Sequence, residues 1–181
     1  MKITVIRHGK TIYNIEKKRQ GKKDLPMSKE GIEFIRSIKK DLDNDFTKII
    51  VSPLKRTRQT AKILFPNREY IYNDLIICYD FGELEGVPFS EPLENFPNNR
   101  IEEHEGKRFL MPNEGESFED VIKRSKKFIK YLKENFEDDD NIAIVSHSTF
   151  LSIFLAIAED EPWYKYLVHS LDFEGFKSVE I

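Results

Sequence analysis

The chain has 181 residues, a length that suits one domain with a substantial core, and 34% charged against 39% apolar residues is the balance of a soluble globular protein. A formal net charge of −3 gives no global field to draw in nucleic acid or an anionic membrane, so attraction of an anionic ligand has to be local. The single cysteine, Cys78, excludes an intramolecular disulfide and a cysteine-rich zinc site, and no apolar stretch is long enough to span a bilayer.

Met1-Lys2-Ile3-Thr4 runs straight into the first strand without the charged, apolar and cleavage regions of a signal peptide, so a cytoplasmic location is expected. Ile3-Thr4-Val5-Ile6 is short and β-branched and reads as a buried strand. Arg7-His8-Gly9 then sits at that strand's C-terminal end, the edge where open α/β sheets bind ligands. Histidine there serves as base, metal ligand or nucleophile, and the arginine beside it offers a planar fork of donors suited to phosphate oxygens. A solvated Arg-His pair is the plain alternative on these residues alone. Ile12-Tyr13-Asn14 begins a helix or an ordered loop, with Asn14 able to face back. Lys17 to Lys23 is a basic run containing Gln20-Gly21 and by itself reads as solvated surface. After Asp24-Leu25-Pro26, Ser28 is placed to cap a helix running to about Leu42, with Ile32, Ile35, Ile38 and Leu42 at helical spacing.

Ile49-Ile50-Val51 is a second short strand, followed by Ser52-Pro53 and a helix through Leu64. Arg56 falls in that helix's first turn, where free N–H groups and the macrodipole favour anions. Leu75-Ile76-Ile77 reads as a third extended run, leading into a structured loop from Cys78 to Gly86. Residues 87–113 carry four prolines and little periodicity, an irregular excursion that could wall or lid a site, with His104 on its surface. Ser117 and Asp120 form a capping-box pattern ahead of a helix to Phe136, whose Phe118, Val121, Ile122, Phe128, Ile129 and Leu132 share one face. Ile142-Ala143-Ile144-Val145 is the next buried strand, ending at Ser146-His147-Ser148 with an apolar helix from about Phe150. Phe176 to Ile181 reads as an edge strand. No repeat, low-complexity tract or linker interrupts 1–181, so a single domain is expected.

Three basic groups, His8, Arg56 and His147, thus follow three different apolar strands, with Arg7 beside the first. In a mostly parallel sheet those strand ends share one edge, and four such groups converging make a pocket for phosphate. Phosphoryl transfer is mainly positioning and charge neutralisation, which arginine and histidine supply without metal. A neutral histidine can also attack phosphorus, and a departing alkoxide needs a proton from a nearby carboxylic acid.

Arg7-His8-Gly9-Lys10-Thr11 with Asn14, then Gln20-Gly21, Asp24, Ser28 and Gly31, then Ser52 to Ala61, Phe81-Gly82 with Glu85-Gly86, Gly115-Glu116-Ser117 with Arg124, and Val145-Ser146-His147 form an ordered set over nearly the whole chain. The set resembles the histidine phosphatase superfamily, in its phosphoglycerate mutase-like phosphatase branch. That resemblance implies an α/β fold with three layers, a mostly parallel central sheet with helices on both faces. It implies a phosphomonoester phosphatase in which His8 is the nucleophile that becomes phosphorylated, Arg7, Arg56 and His147 bind the phosphoryl group, and Asn14, Gln20 and Gly21 line the substrate side. It implies a small phosphorylated substrate, with no cofactor and no metal.

Cys78 stands where the family's leaving-group acid is usually a glutamate, four positions before Gly82. A thiol, with an unperturbed pKa of about 8.5, is a poor substitute. Asp80 points to the same side if the segment is extended and is the first stand-in; Glu83 is the second. A substrate with a good leaving group, or impaired catalysis, would equally accommodate Cys78. Lys10 replaces a commoner acidic or amide residue and is expected to make the mouth more basic, and Ser148 replaces a commoner glycine. Three other readings stay open: mutase-type phosphoryl transfer, against which the short excursion speaks; a phosphate- or protein-binding module without turnover; and a metal hydrolase built on His8, His147 and Asp80.

Overall fold

The computed structural model describes residues 1–43, 45–169, 171 and 175–181. The strands, in chain order, are β1 (Lys2–Arg7), β2 (Lys48–Val51), β3 (Ile71–Tyr72), β4 (Arg100–His104), β5 (Lys107–Met111), β6 (Asn141–Ser146) and β7 (Phe176–Glu180). The α-helices are α1 (Ile12–Ile15), α2 (Lys29–Ile38), α3 (Lys55–Leu64), α4 (Phe118–Asn135) and α5 (Ser148–Ala158). Five strands make the main sheet in the order β3-β2-β6-β1-β7. β1 pairs in parallel with β6, β6 with β2 and β2 with β3, while β7 closes one edge antiparallel to β1.

Pleating sends alternate side chains to opposite faces, and the apolar runs fill both. Ile3, Val5, Ile50, Ile142 and Ile144 pack with Val121 and Phe128 of α4 and Phe150 and Phe154 of α5. Ile6, Ile49, Val51, Ala143 and Val145 pack with Ile35 of α2 and Ala61 and Leu64 of α3. Helices therefore cover both faces of a mostly parallel sheet, as expected. Full burial of each large aliphatic or aromatic chain is worth about 1.5–3 kcal/mol, and the two faces share that work across the sheet.

The helix starts follow their polar caps. Ser28 accepts from Gly31 N, and Ser117 and Asp120 form the reciprocal capping box. α2 stops at Ile38 and tightens into a 3₁₀ turn over Lys39–Asp41, short of the expected end near Leu42.

Two stretches depart from the sequence reading. Leu75-Ile76-Ile77 is not a strand: β3 lies earlier, and Asp74–Ile76 is a 3₁₀ turn whose Leu75 N–H donates to the Asn73 side chain. Asn73 thereby offers the backbone a local partner in place of a ladder, while Ile76 is buried all the same. Residues 87–113 are less irregular than expected, because β4 and β5 form a hairpin turned through Glu105 and Gly106, both at positive φ. β4 is solvent-exposed along most of its length, so it shows no apolar alternation to reveal it.

Candidate active site

β2, β6 and β1 are neighbours, so whatever follows their C-terminal ends is brought together. His8 follows β1 and His147 follows β6; both are buried, with ring centroids 5.1 Å apart. Ser52, at the end of β2, hydrogen-bonds His147 Nε2 at 2.8 Å. Arg56, in the first turn of α3, is fully buried and its Nε donates to His8 Nε2 at 3.2 Å. Its two terminal nitrogens donate to the carbonyls of Lys23 (3.0 Å) and Gly21 (2.8 Å).

The loop that holds Arg56 is itself braced from three sides. Asp24 accepts from Lys55 N at 2.6 Å, capping α3 from outside the helix. Glu85 accepts from Lys22 N at 2.5 Å and lies where a Cβ on Gly21 would have to go. Gln20 accepts from the Thr11 hydroxyl (2.5 Å) and donates to Lys23 O (3.3 Å). Behind His8, the Gly9 N–H donates to Thr60 Oγ1, and a Cβ on Gly9 would meet Met27 Sδ at 2.6 Å and Ile35 Cγ1 at 2.7 Å. Only glycine lets the loop after β1 sit this tightly on α2 and α3.

These contacts set the protonation of the histidines. Burial, reinforced by Arg56 and Arg7, pushes the His8 pKa well below its usual 6.5. Burial, then Arg56 and His8, does the same to His147. Both rings are therefore neutral at pH 7. In His8, Nδ1 lies 2.8 Å from Gly9 O, an acceptor only, so Nδ1 carries the proton and Nε2 keeps its lone pair. In His147, Nδ1 is buried without a hydrogen-bond partner. With the Ser52 hydroxyl donating to Nε2, that Nδ1–H is a donor left for a ligand.

A cavity of about 600 Å³ opens here, lined by Arg7, His8, Arg56 and His147 together with Asn14, Gln20, Gly21 and Cys78. Arg7 is steadied by a bond from Nη1 to Leu171 O. Asn14 is turned back as expected: its Oδ1 accepts from the Thr11 N–H and hydroxyl. The cavity also reaches Ser148 and Thr149 at the N-terminus of α5, which has no side-chain cap and so presents free N–H groups.

Three sequence candidates lie elsewhere. Asp80 does not line the cavity; its carboxylate accepts from Gly82 N (2.9 Å) and pairs with Lys22 (3.0 Å). Glu83 is likewise outside, taking a bond from Asn99. Lys10 turns away to pair with Glu30 at 2.8 Å, so the positive mouth comes instead from Lys17, Lys18, Arg19 and Arg108. The first three belong to the basic run that reads as solvated surface. Arg108 sits on β5, whose course the sequence did not disclose. An aromatic wall, including Phe81, Phe89 and Phe109, was also not legible, since nothing local distinguishes these rings from core residues.

Among the described residues no three His, Cys, Asp or Glu side chains cluster in a metal-holding arrangement, and no helix is long and apolar enough to cross a membrane.

The sequence model of the histidine phosphatase superfamily (branch 1) matches residues 3–175. The chain is 34% identical over 105 residues to the Bacillus subtilis protein named uncharacterized phosphatase PhoE, covering 54% of this chain and 52% of that one. It is 34% identical over 152 residues to the Danio rerio fructose-2,6-bisphosphatase TIGAR B, covering 80% of this chain and 58% of the relative. It thus spans only about half the length of these curated relatives. The Escherichia coli adenosylcobalamin/alpha-ribazole phosphatase is 28% identical over 160 residues, with coverage of 86% and 78%. In fold the chain is similar to the alpha-ribazole phosphatase of Shigella flexneri, at a TM-score of 0.86 and 24% identity, covering 100% of this chain and 91% of that one.

Proposed function

The chain belongs to the histidine phosphatase superfamily, and from that premise we propose that it is a phosphomonoester phosphatase working through a phosphohistidine on His8. One observation supports this reading above the others: a neutral, buried His8 whose Nδ1–H is spent on Gly9 O and whose Nε2 lone pair faces Arg56 inside the cavity. A phosphoryl group seated between Arg7, Arg56 and His147 meets three donors and two fixed positive charges.

The steps are these. Arg56 Nε turns from the lone pair it covers to a phosphoryl oxygen. His8 Nε2 then attacks phosphorus, the ester P–O bond breaks, and its electron pair leaves with the alcohol oxygen. The ring gains positive charge, which the Nδ1–H···O=C bond to Gly9 stabilises. Water next attacks the phosphohistidine, the P–N bond breaks, and the pair returns to Nε2 as phosphate leaves.

His8→Ala is expected to lower release of p-nitrophenol from p-nitrophenyl phosphate by about a thousandfold or more, with the circular dichroism spectrum unchanged. A folded variant retaining near wild-type turnover removes His8 from the nucleophile role. Cys78 supports a second reading, a cavity that binds phosphate without turning it over. That reading predicts phosphate binding by the wild type with no product from any ester.

A further inference from the structure

We infer that the site is built for aromatic phosphomonoesters, whose leaving group departs as a phenolate without a proton donor. The inference rests on the phosphatase reading above and names the substrate class of the same cavity.

Two independent features carry it. The first is chemical. Among the described residues, no aspartate or glutamate lines the cavity, although six lysines and arginines do. Asp80 and Glu83 are bonded elsewhere, to Lys22 and Asn99, and Glu85, whose carboxyl is pushed up by burial, is held by Lys22 N behind Gly21 and does not itself line the cavity. Cys78 occupies the wall instead. Burial pushes its thiol up against the pull of Arg56 and Arg124, so it is a weak acid at pH 7. An alkoxide, whose conjugate acid is about as weak as water, would leave such a site unaided only slowly. A phenolate, of pKa about 10, needs far less help.

The second feature is shape. One wall of the cavity carries a chain of rings in contact: Phe109 with Phe118 (centroids 5.6 Å), Phe118 stacked on Tyr79 (5.3 Å), Tyr79 with Phe81 (5.0 Å) and Phe81 with Phe89 (6.5 Å). All five line the cavity. The Tyr79 hydroxyl is tied to Leu110 O, so that ring presents carbon to the space. Phe89 is 59% exposed at the rim, with the Arg19 guanidinium 4.9 Å above it. A volume of about 600 Å³ is several times what inorganic phosphate needs and suits a ring beside the phosphoryl group. Tyr79, Phe109 and Phe118 are buried against one another, so an aromatic leaving group lies against the edges of this wall and meets an open ring at Phe89.

The balance closes without a further reactant. His8 Nε2 forms the N–P bond as the aryl O–P bond breaks, giving phenolate and phosphohistidine. Water gives dihydrogen phosphate and restores neutral His8. The phenolate takes its proton from that phosphate in solution.

Three esters and one acyl phosphate separate leaving group from ring. Phenyl and p-nitrophenyl phosphate have both a ring and a phenolate; phenethyl phosphate has a ring and an alkoxide; acetyl phosphate has a good leaving group and no ring. The wild type is expected to turn over phenyl phosphate at least about a hundredfold faster in kcat than phenethyl phosphate, the size of effect a general acid would otherwise remove. Acetyl phosphate should show a KM at least about tenfold above that of phenyl phosphate, and Phe89→Ala should narrow that gap by raising the KM for phenyl phosphate. Cys78→Glu should raise kcat for phenethyl phosphate by about tenfold or more and change p-nitrophenyl phosphate far less. If the wild type hydrolyses phenyl and phenethyl phosphate within threefold, a donor already serves and the inference falls while the phosphatase reading stands. Equal KM values for acetyl and phenyl phosphate overturn the ring site. No phosphate from any of the four overturns the phosphatase reading itself.

Discussion

His8 and Arg56 show how a single residue's surroundings decide its chemistry. An exposed histidine would be half protonated at about pH 6.5 and useless as a nucleophile below it. Burial beside Arg56 and Arg7 holds His8 neutral to lower pH. Since the lone pair is present above the folded pKa, kcat/KM for p-nitrophenyl phosphate, corrected for the ester's own ionisation near about pH 6, should stay level as pH falls through 6.5 and decline only below it. A profile that halves at 6.5 would mean an ordinary histidine. The same displacement makes the fold acid-sensitive: below about pH 6.5 the unfolded chain takes up these protons first, so stability falls with pH in that window. His8, Arg56 and His147 were legible because each follows an apolar strand. The placement of Asp80 was not, because its carboxylate is taken by the Gly82 N–H and by Lys22, partners that the local pattern does not bring to it.

At the scale of elements, the site depends on loops held by glycines and caps. Gly31, in the first turn of α2, lies against the backbone of Lys10, and a Cβ there would collide with the Lys10 carbonyl. Ser28 also donates to Lys10 O, tying the start of α2 to the loop carrying His8. Gly31→Ala is expected to lower stability by about 1–3 kcal/mol in urea denaturation and to cut turnover as well, because the displaced backbone adjoins His8. A variant with unchanged midpoint and rate would show that the loop relaxes freely. Caps such as Ser28 and Ser117 were readable from spacing alone, since one side chain and one N–H suffice. The β4–β5 hairpin was not, because its exposed strand carries Glu and Arg where alternation would be sought.

The molecule as a whole explains why four distant residues meet. A parallel β2-β6-β1 core puts three strand ends side by side, and helices on both faces leave that edge open. The two-faced apolar runs made this architecture legible, while the antiparallel β7 edge rested on a weaker signal of position alone. Because the cavity joins loops from both halves of the chain, occupancy should stabilise the entire fold. Inorganic phosphate at a hundred times its dissociation constant is expected to add about 2.7 kcal/mol, raising Tm by about 5–10 °C for a chain of this size. No shift at saturating phosphate would contradict a preformed anion site.

The most direct measurement is to mix enzyme with p-nitrophenyl phosphate, quench in base within one turnover, and map the phosphorylated peptide by mass spectrometry. The account predicts one phosphoryl group, on His8. Turnover with no trapped phosphoryl group, or with the label on any other side chain, would contradict it.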